Sequence, residues 1–249
     1  MATLSLNTIS PSSRVRCRVS SLPRSSVHSI PLGRLRRYPV AIKAVSSRSS
    51  VAASSGSNES ILDPLGQVSI YSASSGEAVL IKDLWDQTGE VAVVVLLRHF
   101  GCVCCWELAS VLRDAKSKFE SAGVKLIAIG VGTPDKARIL AERLPFPLEN
   151  LYADPDRKAY DVLGLYYGMA RTFLNPASRK AFSRFESIKE ATKNYTIKAT
   201  PSDVSSVLQQ GGMFVFKGKE LMYARKDEGT GDHAPLDDVL NICCRVPVV

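Results

Sequence analysis

The sequence predicts an α/β fold, a mixed sheet covered by helices on both faces, and three observations predict it. Val91 to Leu97 and Val124 to Val131 are continuous apolar runs, the pattern of strands buried on both sides. Between them Leu108, Val111, Leu112, Ala115, Phe119 and Ala122 recur at helical spacing, which makes a strand–helix–strand unit with parallel strands. Met213 to Phe216 and Leu221 to Ala224 flank Lys217-Gly218-Lys219 and read as an antiparallel pair, so the sheet is mixed.

In chain order, Val68 to Tyr71 and Ala78 to Ile81 flank Ser74-Ser75-Gly76-Glu77 and predict a short hairpin. The run at Val91 comes next, then the helix, which Gly123 stops. After the run at Val124, Pro134 opens a helix carrying Ala137, Leu140, Ala141 and Leu144, and Pro145 ends it. Leu151-Tyr152-Ala153 predicts a strand, Asp154-Pro155-Asp156 a turn, and 157–164 a short helix closed by Gly164. Residues 165–208 carry the weakest pattern, with Phe182, Phe185 and Ile188 at helical offsets. Pro235 to Cys243 predicts a closing helix. The order βαβα, an irregular stretch, then ββα is the thioredoxin arrangement. No run reaches the ~18 apolar residues of a bilayer span, so no transmembrane segment is expected.

The net charge of +8 belongs to the leader. Residues 1–58 hold nine Arg or Lys, 16 Ser and no Asp or Glu, and the remainder holds 23 basic and 24 acidic residues. The folded part therefore lacks the basic footprint of a nucleic-acid binder. A basic, Ser-rich, acid-free leader has the composition of an organellar transit peptide. Its start is uncharged until Arg14, and Pro11, Pro23 and Pro31 break helices, which points to a plastid. Residues 1–58 are expected to be transit peptide and disordered linker, cleaved near Ala44 and removing Cys17. The folded domain is expected over 65–245, in the chloroplast stroma.

The chemistry lies where the first buried strand ends, in Arg98-His99-Phe100-Gly101-Cys102-Val103-Cys104-Cys105-Trp106-Glu107. Cys102 and Cys105 form a Cys-x-x-Cys at the amino end of a helix. Free N–H groups and the helix dipole there favour a thiolate, the reactive form of cysteine. The spacing brings the two sulfurs within disulfide reach, and in a reducing stroma such a disulfide is catalytic or regulatory rather than structural. Arg98 and His99 stand beside the turn, where a cation lowers a thiol pKa, and strand alternation sends them to opposite sides. Trp106 is expected in the core, and Glu107 in helix-start electrostatics. Gly211-Gly212 is expected to admit close backbone approach to the active-site turn. Asp232 is expected to cap the last helix, with His233 beside it as a candidate base. Cys104 is expected to be a small core residue, because adjacent helix-start positions diverge by about 100°. Cys243 and Cys244 end the last helix, as a resolving thiol or as incidental ones.

The segments RHFGCVCCWE and QQGGMFVFKGKELMYARKDEGTGDHAPLDDVL, with the spacing between them, resemble the peroxiredoxin-like 2 proteins. These are thioredoxin-like (peroxiredoxin-like) proteins with an AhpC/TSA antioxidant-enzyme domain. The resemblance covers roughly 65–245 and implies a thioredoxin-type fold and a thiol-dependent antioxidant activity. It also places Arg225, at the end of the later hairpin, where peroxiredoxin-like folds often supply an active-site arginine. Peroxiredoxins proper carry Thr-x-x-Cys at this turn, so Cys102 stands at the Thr position and Cys105 at the peroxide-attacking position. Thioredoxins proper attack with the first Cys and keep a proline before the following strand, where this chain has Gln209-Gln210-Gly211-Gly212. Two assignments therefore stay open, Cys102 as the nucleophile of a reductase and Cys105 as the attacking thiol of a peroxidase.

The residues admit three functions. The leading one is a thiol oxidoreductase that reduces a peroxide or a protein disulfide. It would close an intramolecular disulfide and be reset by an external thiol such as a thioredoxin or glutathione system, with no bound cofactor or metal. A metal or iron–sulfur module would need Cys102, Cys104 and Cys105 with Cys243 or Cys244, yet no second Cys-x-x-Cys exists. An interaction protein without turnover would dock through 171–198, with seven basic and two acidic residues, a charge that a solvated helix face also explains.

Overall fold

Along the strand Val91–Leu97, Val91, Val93, Val95 and Leu97 enter one hydrophobic core, while Ala92, Val94 and Leu96 enter a second. Successive strand side chains alternate between faces, so a strand apolar at every position needs cover on both. A computed structural model describes residues 60–245; the leader expected over 1–58 and its cleavage near Ala44 lie outside the described residues. One sheet contains β1 (Ser69–Ser72), β2 (Ala78–Leu80), β3 (Val91–Leu97), β4 (Val124–Gly130), β5 (Leu151–Ala153), β6 (Gly212–Lys217) and β7 (Glu220–Lys226). The strand order is β2-β1-β5-β4-β3-β6-β7. β3, β4 and β5 run parallel, and the remaining pairs are antiparallel. The mixed sheet and both hairpins agree with the sequence.

The helices are α1 (Leu62–Gly66), α2 (Val103–Asp114), α3 (Lys116–Ser121), α4 (Pro134–Arg143), α5 (Lys158–Val162), α6 (Phe185–Thr192) and α7 (Leu236–Arg245). Leu62 and Leu65 of α1 and Tyr160 of α5 cover one face of the sheet. Leu108 and Leu112 of α2, Phe119 of α3, Leu140 of α4, Ala191 of α6 and Val239 of α7 cover the other. Full burial of such a Leu or Phe contributes roughly 1.5–3 kcal/mol. Among the described residues no helix is long and apolar enough to cross a membrane.

The structure departs from the sequence reading in two places. The helix expected over 108–122 is two helices that meet at Ala115; no Gly or Pro marks the break, so local sequence carries no sign of it. Gly123, at φ +67°, ends the second in the left-handed region as expected. The stretch 165–208 is built from short 3-10 and π turns around α6. Such pieces have no sustained period, and individual hydrogen bonds hold them: Gly168 N–H donates to Leu208 O, Gln210 N–H to Tyr166 O, and Gln210 Nε2 to the Thr172 hydroxyl. Phe185 is exposed, and Ala191 is the residue that α6 buries.

Tyr160 ties α5 to the carboxyl ends of the two central strands. Its hydroxyl is shared between Leu97 O at 2.5 Å and Ile129 O at 3.1 Å. Tyr160→Phe keeps the ring and strips both carbonyls of their partner, so it is expected to cost about 1–3 kcal/mol. A lowered urea midpoint with unchanged slope would show it, and an unchanged midpoint would contradict the assignment.

Candidate active site

β3 ends at Leu97 and α2 begins at Val103, so five residues make the connection. Cys102 occupies the N-cap with extended backbone (φ −87°, ψ 120°). Its carbonyl accepts the first helical hydrogen bonds, from Cys105 N at 2.9 Å and Trp106 N at 3.1 Å. The connection is clamped from several sides. Trp106 Nε1 donates to Phe100 O, and the Tyr195 hydroxyl donates to Gly101 O at 2.9 Å. A Cβ on Gly101 would come within 2.5 Å of Thr200 Cα, so only glycine lets that loop lie against the thiol turn.

Arg98 is the centre of the site and is almost fully buried. Its Nε donates to Gln209 O at 2.9 Å and its Nη2 to Val207 O at 2.6 Å. Its Nη1 lies 3.4 Å from Cys102 Sγ, and its backbone N–H donates to Cys105 Sγ at 3.3 Å. Among the described residues no carboxylate pairs with this guanidinium. A buried, uncompensated cation is costly, and the ionisable side chain in contact with it is the Cys102 thiol.

The three neighbouring thiols have different electrostatics. The Cys104 S–H bond, followed by that of Cys105, holds Cys102 well below the usual thiol range; burial opposes this, and Arg98 and His99 add to it. Cys104 is raised by donating to Cys102 and then by burial. Cys105 is raised by burial first and then by its hydrogen bond to Cys102. Of the three, Cys102 is therefore the thiol that ionises most readily.

Cys104, expected to be a small core residue, is half-buried and packs against the core that contains Cys102 and Cys105. His99 is also buried, with Nδ1 lacking a hydrogen-bond partner, and burial lowers its pKa. Neither residue of the Arg98–His99 pair faces solvent.

Other expected residues take different positions. Arg225 Nη2 pairs with Asp232 Oδ1 at 2.8 Å rather than with a thiol; the guanidinium groups acting on the thiols are those of Arg98 and Arg184. Asp232 also accepts the Glu228 N–H, and α7 begins only at Leu236. Glu107 is a buried carboxylate 3.3 Å from Arg184 Nε, so it does more than bias the start of a helix. The basic stretch 171–198 accordingly turns part of its charge inward, with Arg171 stacked 4.1 Å from the Tyr166 ring. Trp106 is fully buried, as expected, edge-on to Tyr195. The close approach at Gly211 is to Leu96 O, at 2.3 Å from an added Cβ, and to the Asp227 carboxylate. Cys243 lies in the core, where burial pushes its thiol up to about 11, and Cys244 is exposed. Among the described residues no three His, Cys, Asp or Glu side chains are arranged to hold a metal ion.

Asp227 had no signal in the sequence. Its Oδ2 lies 3.0 Å from His233 Nδ1, and His233 Nε2 lies 3.2 Å from Cys104 O. Burial lowers the His233 pKa, but the hydrogen bond and charge of Asp227 outweigh it and raise the net value. Beside His233 opens a cavity of about 590 Å3, lined by Leu108, Val111 and Leu236 and by Arg184 and Arg225. Arg225 Nε is buried at this wall without a hydrogen-bond partner.

The depressed pKa of Cys102 has a definite sign. Its thiolate persists as pH falls below the ordinary thiol value of about 8.5. Iodoacetamide is therefore expected to alkylate Cys102 rapidly in neutral solution, with the rate falling only on further acidification. Arg98→Met should move that profile to higher pH. A wild-type profile centred on the ordinary thiol value would overturn the assignment.

Comparison with known proteins identifies the family and the fold. A family described as AhpC/TSA antioxidant enzyme matches residues 111–229, a stretch that begins inside α2, just past the thiol turn. A thioredoxin-like protein AAED1, chloroplastic, from Arabidopsis thaliana is 34% identical over 213 residues, covering 84% of this chain and 82% of that one. A prostamide/prostaglandin F synthase of Bos taurus is 28% identical over 71% of this chain and 84% of its own length. The solved peroxidoxin BcpB of Mycobacterium tuberculosis shares the fold at a TM-score of 0.50, with 14% identity over 72% of this chain and 93% of that one. By fold and by sequence, the chain belongs to the peroxiredoxin-like 2 family, the thioredoxin-like proteins of AhpC/TSA antioxidant-enzyme type.

Proposed function

We propose that this protein is a plastid thiol-dependent antioxidant oxidoreductase in which Cys102 attacks a peroxide and Cys105 resolves the product. The observation that carries the reading is the contact of Arg98 Nη1 with Cys102 Sγ at the N-cap of α2. It adds to the effect of the neighbouring Cys104 and Cys105 thiols, which chiefly lower the Cys102 pKa, while Cys105 is fully enclosed and raised. An attacking thiol needs thiolate character and reach, and Cys102 has more of both. The attack transfers one peroxide oxygen to sulfur, leaving Cys102 sulfenic acid and releasing an alcohol or water. The Cys105 thiol then displaces that oxygen as water and closes the Cys102–Cys105 disulfide. Two equivalents of an external thiol, or one dithiol of thioredoxin type, return both cysteines to the reduced state.

A peroxide suits the enclosed turn better than a protein disulfide, because Cys102 is only 5% exposed. The cavity beside His233 supports a peroxide on an amphipathic carbon chain, with Leu108, Val111 and Leu236 as apolar walls and Arg184 and Arg225 among its lining residues. The vertebrate relatives named for prostamide and prostaglandin F synthesis agree with a lipid-derived substrate. The leader composition and the chloroplastic relative support a plastid site of action, which we assign to the stroma.

The test is reaction of the fully reduced chain, beginning near residue 45, with one equivalent of hydrogen peroxide in a stopped-flow instrument. Cys102→Ser is expected to lose the fast phase. Cys105→Ser should keep it and accumulate a sulfenic acid that a dimedone-type trap places on Cys102. A fast phase that survives in Cys102→Ser and disappears in Cys105→Ser would reverse the assignment.

A further inference from the structure

Asp227 and His233 form a buried acid–base pair that the proposed reaction does not use. Both side chains are enclosed, and the two ring nitrogens of His233 face two different acceptors. Nδ1 lies 3.0 Å from Asp227 Oδ2, and Nε2 lies 3.2 Å from the Cys104 carbonyl oxygen. A carbonyl oxygen can only accept a hydrogen bond, so Nε2 carries a proton. The Nδ1–Oδ2 contact needs a second proton, because a bare nitrogen against a carboxylate sets two lone pairs face to face. Imidazole titrates about 2.5 pH units above a carboxylate, which places that proton on the ring. His233 is therefore an imidazolium that donates in both directions, with no lone pair left to act as a base. The other charged groups near the pair are Arg184, Arg225 and Asp232, with the ionisable Cys102. Arg225 pairs with Asp232 and Arg184 with Glu107, and Asp227 is the counter-charge of the ring.

The ring holds the first turn of α2. The Cys104 carbonyl and the Cys105 N–H belong to one planar peptide group, and that N–H donates to Cys102 O at 2.9 Å. A charge-assisted bond into one end of a peptide group strengthens the bond made by the other. The contacts form a chain from Asp227 through His233 and the Cys104–Cys105 peptide to the N-cap carbonyl. The sulfur of that N-cap residue lies 3.4 Å from Arg98 Nη1. Asp227 is fixed in turn, since its N–H donates to Gly211 O at 3.0 Å. Gly211 is two residues from Gln209, whose carbonyl accepts from Arg98 Nε. One residue pair thus braces both partners of the Arg98–Cys102 contact.

We propose, on the reading of Cys102 as the attacking thiol, that His233 is a positioning residue. Held by Asp227, it grips the Cys104–Cys105 peptide and so keeps the Cys102 sulfur against Arg98. It touches no reacting atom and acts through the backbone alone.

The test compares His233→Gln, whose amide places a donor where Nε2 stands, with His233→Leu, which fills the space and donates nothing. Iodoacetamide labelling of the reduced protein is followed against pH, with the label located by mass spectrometry in the tryptic peptide from His99 to Arg113. His233→Leu is expected to raise the midpoint of the Cys102 profile by about one pH unit, toward the ordinary thiol value. His233→Gln is expected to stay within about 0.3 pH unit of wild type. A role in packing alone would reverse that order, and any result in which Gln does not restore what Leu loses overturns the proposal. Because no peroxide enters the experiment, failure of the peroxide reading leaves its outcome unaffected. Wild-type label on Cys105 in place of Cys102 would instead overturn the thiol assignment, and this role with it. Nitrogen-15 spectra of the wild-type imidazole need no variant and stand even where a substitution disturbs the fold. Both ring nitrogens of His233 are expected to be protonated at neutral pH, and a bare ring nitrogen would overturn the two-donor arrangement.

Discussion

A buried guanidinium requires an anion, and in this protein the requirement falls on a thiol. Arg98 is held by Gln209 O and Val207 O, which fix its plane but leave its charge uncompensated. Transfer of that charge from water is costly unless a counter-charge is present. The ionisable group in contact with it is the Cys102 thiol, whose pKa is lowered. The N-cap position places the same residue at the positive end of the α2 dipole.

The rest of the structure holds that contact in place. β3 must be buried on both faces to carry Arg98 to the centre of the sheet's carboxyl edge. Gly211 must lack a side chain, because the chain that supplies the two carbonyls crosses directly over Leu96 O. The stretch 195–208 leans on Gly101 through Tyr195 and Thr200, then turns back to offer Val207 and Gln209. From the other end of the chain, Asp227 and His233 reach the Cys104 carbonyl. Three stretches far apart in sequence, 96–107, 195–211 and 227–233, therefore meet at one helix start.

Much of the frame was legible in the sequence, for physical reasons that can be named. Val91 to Leu97 has an uninterrupted apolar pattern that only a doubly covered strand satisfies. Pro134 and Gly164 mark helix ends by backbone restriction alone. The break at Ala115 left no mark, since Asp114, Ala115 and Lys116 are all compatible with helix. The turns of 165–208 were illegible because a chain held by isolated hydrogen bonds needs no periodic apolar face. Glu107 and Arg184 show the same limit, as residues of a charged surface type that burial turned into an ion pair.

The sequence by itself determined the mixed sheet, the strand-to-helix turn, and the presence of Cys102 and Cys105 with Arg98 beside them. All of these follow from local spacing, and local spacing is sufficient for them. Only the tertiary structure decided which thiol is charged, what Cys104 touches, and where Arg225 goes. A thiol pKa depends on enclosure and on nearby charge, and those are set by carbonyls more than a hundred residues away. The fold then set three neighbouring cysteines apart, lowering the pKa of Cys102 and raising those of Cys104 and Cys105.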